Sequence, residues 1–234
     1  MTPLELLFEA AGLTAVSLPP ELAELYPGTL GLGDDSLYVN FVETLDGVVA
    51  LPDVPRSNRI VADESEADLF VMALLRACAD AVVVGSRTLL ASPRNRWTAA
   101  AAYPDAAEAL LELRRSLGAP DEPDVMVLSR VRELESDVLG ERLHVRSSAS
   151  EAIAELRERG ARRILCEGGP TLFGSLLVDG LVDELFVTLS PVLAGRGLSL
   201  VEGVELLPHT RVGGALAGVR RHGSHLFLHY TLGR

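Results

Sequence analysis

From Leu37 onward the chain alternates short apolar runs with stretches that carry apolar residues on one helical face. Leu37–Glu43 reads as a strand ending in the turn Leu45-Asp46-Gly47. Ser65–Ala79 places Leu69, Met72, Ala73, Leu75 and Ala77 at helical spacing, with Ser65 and Asp68 spaced as a capping box. Ala81–Val84 is a continuous β-branched run closed by Gly85, the pattern of a buried parallel strand. A helix over Asp105–Leu117 leads to a strand at Asp124–Leu128, and a helix over Ser150–Arg159 leads to a strand at Arg162–Cys166. A further helix starts at Pro170, and Leu185–Leu189 is another strand. Arg211–Arg220 and His225–Leu232 are extended and joined by His222-Gly223-Ser224, which predicts an antiparallel hairpin.

The first 36 residues look different. A short helix is expected near Leu4–Ala11, followed by chain punctuated by Pro19, Pro20, Pro27 and Gly31. Gly31-Leu32-Gly33 lacks the third glycine of a dinucleotide fingerprint and reads as a loop. The expectation is an N-terminal accessory segment over 1–36 and one α/β domain over 37–234, with a mostly parallel central sheet, flanking helices and a C-terminal antiparallel hairpin.

Composition narrows the function. A net charge of −12 leaves no basic stripe for nucleic acid, so an anionic ligand would need local arginines. No apolar run reaches the roughly 20 residues that cross a bilayer, and the N-terminus lacks the basic region of a secretory signal. The cysteines, Cys78 and Cys166, are two and far apart, which fits a reducing cytoplasm better than a disulfide framework or a zinc site.

In α/β sheets ligands gather at the carboxyl ends of strands. Four unusual segments fall there: Asp46-Gly47, Gly85-Ser86-Arg87-Thr88, Ser129-Arg130 and Glu167-Gly168-Gly169. The last is the most informative. Two glycines allow close approach of a ligand to the main chain, Pro170 suits a first helical turn, and free N–H groups from Thr171 onward suit a phosphate. A glycine turn with no ligand has the same shape. Thr88 reads as a ligand contact or a helix N-cap, Asp46 as a functional carboxylate or a turn aspartate, and Arg76 as a charge needing a partner on an apolar helix. His225 and His229 share a strand face without a third ligand, so no metal site is expected.

These segments, in this order, resemble the reductase domain of bacterial riboflavin biosynthesis, which has a dihydrofolate-reductase-like fold. Tyr38–Ala50 is similar to that family's first strand and turn, Leu74–Thr88 to its second helix and strand, and Ile164–Leu176, Val182–Leu185 and Ser190–Gly195 to its C-terminal signature. The resemblance implies an NADPH-dependent reductase that converts the ribosyl side chain of a phosphorylated pyrimidine to ribityl. It implies that Gly168, Gly169, Pro170, Thr171, Leu172 and Phe173 hold the pyrophosphate, with Ala50 and Thr88 also on the cofactor. Ser129 and Arg130 then face the 2′-phosphate that separates NADPH from NADH. Ser57, Arg76, Arg94, Arg96 and Glu167 fall to the substrate, and Glu167 and Asp46 are the candidate catalytic carboxylates. A homodimer through the C-terminal β region is a further implication.

Two departures fall near the expected substrate pocket: Ala91-Ser92-Pro93 where the family commonly has Asp-Asp-Pro, and Asn40 where it often has lysine. The His-x-Glu and Pro-Cys-x-x-Cys of a zinc deaminase do not occur. A dihydrofolate or other pteridine reductase, and a non-catalytic NADPH-binding module, remain the alternatives on this fold.

Overall fold

Continuous apolar runs give the central strands two buried faces, and helices cover both. The computed structural model describes residues 1–54, 57–131 and 134–233. It begins with β1 (Glu5–Glu9), β2 (Ala15–Val16), α1 (Pro20–Leu25) and β3 (Leu30–Gly31), then β4 (Ser36–Glu43), β5 (Val48–Ala50), α2 (Ser57–Val61) and α3 (Glu66–Cys78). Next come β6 (Ala81–Gly85), α4 (Ser86–Ala91), α5 (Ala99–Ala102), α6 (Ala107–Ser116), β7 (Asp124–Leu128), β8 (Leu143–Arg146) and α7 (Ala149–Glu158). β9 (Arg163–Cys166), α8 (Pro170–Val178), β10 (Glu184–Leu189), β11 (Leu198–Ser199), β12 (Gly213–His222) and β13 (His225–Gly233) complete it.

Nine strands form one sheet in the order β1-β12-β13-β10-β4-β9-β6-β7-β8. From β10 to β8 all neighbours are parallel, while β13, β12 and β1 add antiparallel pairs at one edge. Leu37, Val39, Val83, Ile164 and Cys166 pack on one face with residues of α7 and α8; Tyr38, Val82, Val84 and Leu165 pack on the other with α3, α5 and α6. Because β9 lies between β4 and β6, the chain crosses in both directions around these strands, and their carboxyl ends diverge into a cleft.

The predicted elements from Leu37 onward are found within a few residues, including the hairpin, with Cys78 and Cys166 buried and free. Only half of the predicted capping box forms: the Asp68 backbone N–H donates to Ser65 Oγ at 3.2 Å, while the Ser65 N–H donates to Ala62 O. The N-terminal expectation is corrected. Residues near Leu4–Ala11 form the edge strand β1, not a helix. Glutamate, leucine and alanine favour helix locally, but β12 offers a ladder and two cross-strand pairs, Glu9–Arg220 at 3.1 Å and Glu5–Arg221. The stretch read as a loop at Gly31 pairs, in part, as β3 with β2, and Leu4, Leu22, Leu30 and Leu32 are buried in the core.

Candidate functional site

The cleft at the carboxyl ends of β4, β6, β7 and β9 has a volume of about 1180 Å³. That exceeds the roughly 300–1,000 Å³ of pockets for one small ligand and suits two ligands side by side.

One wall is the glycine turn. β9 ends at Cys166, and the Glu167 N–H continues the ladder by donating to Val83 O at 3.1 Å. Gly168 has φ +85°, and its carbonyl accepts the Gly85 N–H at 2.7 Å; a cis peptide joins it to Gly169. A Cβ at Gly168 would lie 3.1 Å from the Phe41 ring, and one at Gly85 would lie 3.4 Å from the Gly169 nitrogen, so the two loops touch through main chain. The first helical bond of α8 runs from the Phe173 N–H to Gly169 O at 3.1 Å, which leaves the Thr171 and Leu172 N–H groups without helical partners. Gly169, Pro170, Thr171 and Leu172 line the cleft, and the Thr88 hydroxyl faces Gly169 from α4. Gly168 shapes the turn from behind. Phe173 is not on the cleft wall: its ring is buried against Phe41, with centroids 5.4 Å apart.

At the end of β7, Ser129 Oγ accepts the Val131 N–H at 3.0 Å and closes a turn with Arg130 at its tip. Both line the cleft, as do Ala50 and Ser57. The buried Arg76 guanidinium reaches the Glu167 carboxylate with two hydrogen bonds of 2.6 Å, Nε to Oε1 and Nη2 to Oε2. It also lies 5.3 Å from the centroid of the Trp97 ring, a cation–π contact. Trp97 is buried with φ +58°, and its indole N–H has no partner among the described residues.

Three predicted residues lie elsewhere. Arg94 and Arg96 are exposed outside the cleft, and Arg96 pairs with Glu122 at 2.8 Å. Asp46 clamps a loop: Thr44 Oγ1 and the Ala194 and Gly195 N–H groups donate to it at 2.5, 3.0 and 2.7 Å. The Thr44 bond, then the two backbone bonds, hold its carboxyl down at about 2, the opposite of what a proton relay needs. His225 and His229 do share a face, where His225 bonds Ala62 O at 3.0 Å and His229 bonds Glu184 at 2.6 Å while stacking on Phe186.

Asn40, Ala91 and Ser92, the departures from the family pattern, all line the cleft. So do Arg59 and Arg87, which the sequence reading left unassigned; Arg59 pairs with Glu64 and Arg76 with Glu167. Asp68 was also missed. It is buried on the cleft wall, and burial pushes its carboxyl up to about 6, against the opposing effects of the Thr188 hydroxyl and His225. Its signal was its spacing: Asp68, Met72 and Arg76 recur at helical intervals on one face of α3.

A family model described as the RibD C-terminal domain matches residues 35–224. The chain is similar to the riboflavin biosynthesis protein RibD of Corynebacterium ammoniagenes, 28% identical over 204 residues, which covers 82% of this chain and 55% of that protein. It is 29% identical over 185 residues to a 2,5-diamino-6-ribosylamino-4(3H)-pyrimidinone 5′-phosphate reductase of Archaeoglobus fulgidus, covering 68% of this chain and 81% of that one. The chain therefore spans about half the length of the first relative and most of the second. Among solved structures, a pyrimidine reductase-like protein from Corynebacterium diphtheriae matches with TM-score 0.67 at 17% identity, covering 93% of this chain and 96% of that one. A deaminase/5-amino-6-(5-phosphoribosylamino)uracil reductase from Thermotoga maritima matches with TM-score 0.62 at 19% identity, over 85% and 56%. These likenesses show the fold, a dihydrofolate-reductase-like α/β sheet.

Proposed function

The chain belongs to the RibD C-terminal domain family, and from that membership and the geometry of its cleft we propose that it is an NADPH-dependent reductase of riboflavin biosynthesis. Its substrate is a 5-amino-6-(5-phosphoribosylamino)pyrimidine, whose ribosyl group it converts to ribityl. The observation that carries this reading is the glycine turn: main chain against main chain at Gly85 and Gly168, opening onto the unbonded N–H groups of Thr171 and Leu172. That cradle fits a pyrophosphate.

When bound, NADPH supplies the hydride. The substrate ring opens as a proton moves from the glycosidic nitrogen to the ring oxygen; hydride is then gained at C1′ and a proton at that nitrogen. The chain's residues position and shield this chemistry. Gly169, Thr171, Leu172 and Thr88, which line the cleft, would hold the pyrophosphate, and Ala50 would lie toward the nicotinamide. Ser129 and Arg130 would take the 2′-phosphate, for which an arginine offers charge-assisted paired bonds. Arg76, held rigid by Glu167 and Trp97, presents its remaining N–H groups to the substrate, and Ser57 flanks the phosphate end. Leu6, Leu7 and Phe8, exposed on the outer edge strand, support pairing with a second copy. No helix among the described residues is long and apolar enough to cross a membrane.

The test is NADPH oxidation with the phosphoribosylamino pyrimidine and, separately, with dihydrofolate. Turnover of the first is expected, and Arg130→Ala raises the KM for NADPH about tenfold while leaving that for NADH unchanged. NADPH binding without turnover of the ribosylamino compound refutes the reading.

A further inference from the structure

Asp46 lies outside the cleft, yet its carboxylate gathers three hydrogen bonds, two of them from the Ala194 and Gly195 N–H groups, 148 and 149 residues away. Ala194 and Gly195 belong to the connection between β10 and β12, which runs over 190–212. That connection starts beside the end of β4: the Ser190 N–H donates to Glu43 O at 2.8 Å, and the Leu45 N–H to Val192 O at 2.9 Å. From there Leu193 and residues 195–197 are exposed, so packing does not fix their path. Further on, Leu200 and Val201 lie against the core.

What the connection touches next gives that clamp a use. Its strand β11 pairs antiparallel with β5, Leu198 opposite Ala50 and Ser199 opposite Val48. Leu198 and Ala50 both line the cleft. The approach is so close that a Cβ at Gly197 would lie 2.2 Å from Val48 Cγ1 and 2.6 Å from Ala50 O. A few residues on, the Glu202 N–H donates to Pro170 O at 3.3 Å, and a Cβ at Gly203 would lie 3.1 Å from Thr171 Cγ2. Residues 194–203 therefore join the wall at Ala50 to the first turn of α8, the two ends of the proposed cofactor site. Packing secures the α8 end. At the Ala50 end the short β5–β11 pair is backed by Asp46, whose carboxyl the Thr44 and backbone bonds hold at about 2 and hence ionised. Charge-assisted bonds of this kind are roughly twice as strong as neutral ones.

A carboxylate outside the cleft cannot pass a proton to the reacting atoms, and a clamp that only stabilises the fold would leave the chemistry of folded protein untouched. We infer that Asp46 is a positioning residue for hydride transfer. By holding 194–197 against β5 it fixes Ala50 and Leu198, the wall proposed for the nicotinamide, relative to the glycine turn proposed for the pyrophosphate. The inference rests on the proposed reductase reading and adds to it a residue that touches neither ligand. Its signature is a loss in the chemical step with the adenosine end unaffected, since a misplacement of about 1 Å can cost about 100-fold in rate.

The experiment uses Asp46→Asn, which keeps the shape and removes the charge, and Gly197→Ala, which keeps Asp46 and wedges β11 away from β5. Hydride transfer is followed in single turnovers with the phosphoribosylamino pyrimidine, using NADPH and its deuterium-labelled form. Binding of adenosine 2′,5′-bisphosphate, which has no nicotinamide, is titrated by calorimetry. Each variant is expected to slow hydride transfer about tenfold or more, with a deuterium effect on the slowed step, and to bind the bisphosphate as the native protein does. In ligand-free Asp46→Asn, amide hydrogen exchange should quicken over 193–199 and stay unchanged in α8. A folded Asp46→Asn that transfers hydride at the native rate overturns the inference, whatever its stability. So does a slowed rate without a deuterium effect, or a loss of bisphosphate affinity as large as the loss of rate, because Asp46 would then shape the whole cofactor site. Unchanged exchange over 193–199, or a native rate in Gly197→Ala, overturns it by detaching Asp46 from the wall. A native protein that transfers no hydride to the pyrimidine sinks the reductase reading itself, a result recognised before any variant is made.

Discussion

Breaking the Arg76–Glu167 pair should cost more than removing it. Both side chains are almost fully buried, at 4% and 7% exposure, and two hydrogen bonds of 2.6 Å join them. Glu167→Gln leaves a buried guanidinium without its counter-charge, and Arg76→Met leaves a buried carboxylate. Each is expected to cost about 3–5 kcal/mol, the usual penalty for stranding one member of a buried pair. Independent sites would then sum to about 6–10 kcal/mol in the double variant. The double variant strands no charge, and should lose only about 1–3 kcal/mol for the cation–π contact with Trp97 and the long hydrogen bond to Thr98 O at 3.4 Å. Urea unfolding of the four proteins at pH 7, with the m-value monitored for constancy, supplies the cycle. Additive losses would refute the reasoning, as would a Glu167→Gln cost below about 1 kcal/mol, because either would mean that water reaches the pair. The same cycle protects the activity assay, since a Glu167→Gln variant that loses turnover has also lost much of its stability. Only turnover measured on protein shown to be folded speaks to the site.

Two further outcomes follow from the structure. Asp68 has a carboxyl raised from 3.8 to about 6, so the folded state holds its proton more tightly than the unfolded chain, and stability falls as pH rises through that window. A shift of about 2 units is about 3 kcal/mol. Asp68→Asn should therefore stabilise the protein by about that much at pH 8 relative to its effect at pH 4, and an equal effect in thermal melts at both pH values would contradict it. Gly168→Ala forces an alanine to φ +85° and sets its Cβ 3.1 Å from the Phe41 ring, at a cost of about 1–3 kcal/mol and an at least tenfold weaker NADPH affinity. Gly180→Ala, also at positive φ but in open space, should lose stability alone; equal NADPH affinities in the two variants would detach the turn from the cofactor.

Local pattern was not enough for the short elements α2, α4, α5, β5 and β11 or the edge strand β8. It was enough for the longer strands and helices from Leu37 to Leu232, because buried parallel strands and amphipathic helices carry their periods in contiguous residues. The glycine turn was legible for the same reason: Glu167-Gly168-Gly169-Pro170 is a local device whose backbone needs are written in its own residues. Much of the candidate site could be named from four strand ends before their convergence was visible. Elsewhere local reading failed in a consistent way. Leu4–Ala11 favours helix in isolation and becomes a strand because β12, more than 200 residues away, supplies a ladder and arginines for Glu5 and Glu9. Arg94 and Arg96 were expected at the substrate, yet the loop turns Arg96 outward to Glu122.

Carboxylates mark the division most sharply. The sequence reading named Asp46 and Glu167 and passed over Asp68, because nothing local shows what each carboxylate will meet in the fold. Folding clamps Asp46 in a turn, pairs Glu167 with Arg76, and leaves Asp68 buried beside Thr188 and His225 with no ion pair among the described residues. A side chain's charge state and availability depend on neighbours brought from distant parts of the chain and on the water they exclude. Sequence periodicity therefore determined which elements form and where the cleft opens, while the tertiary structure decided which of its acids has a free carboxylate to offer.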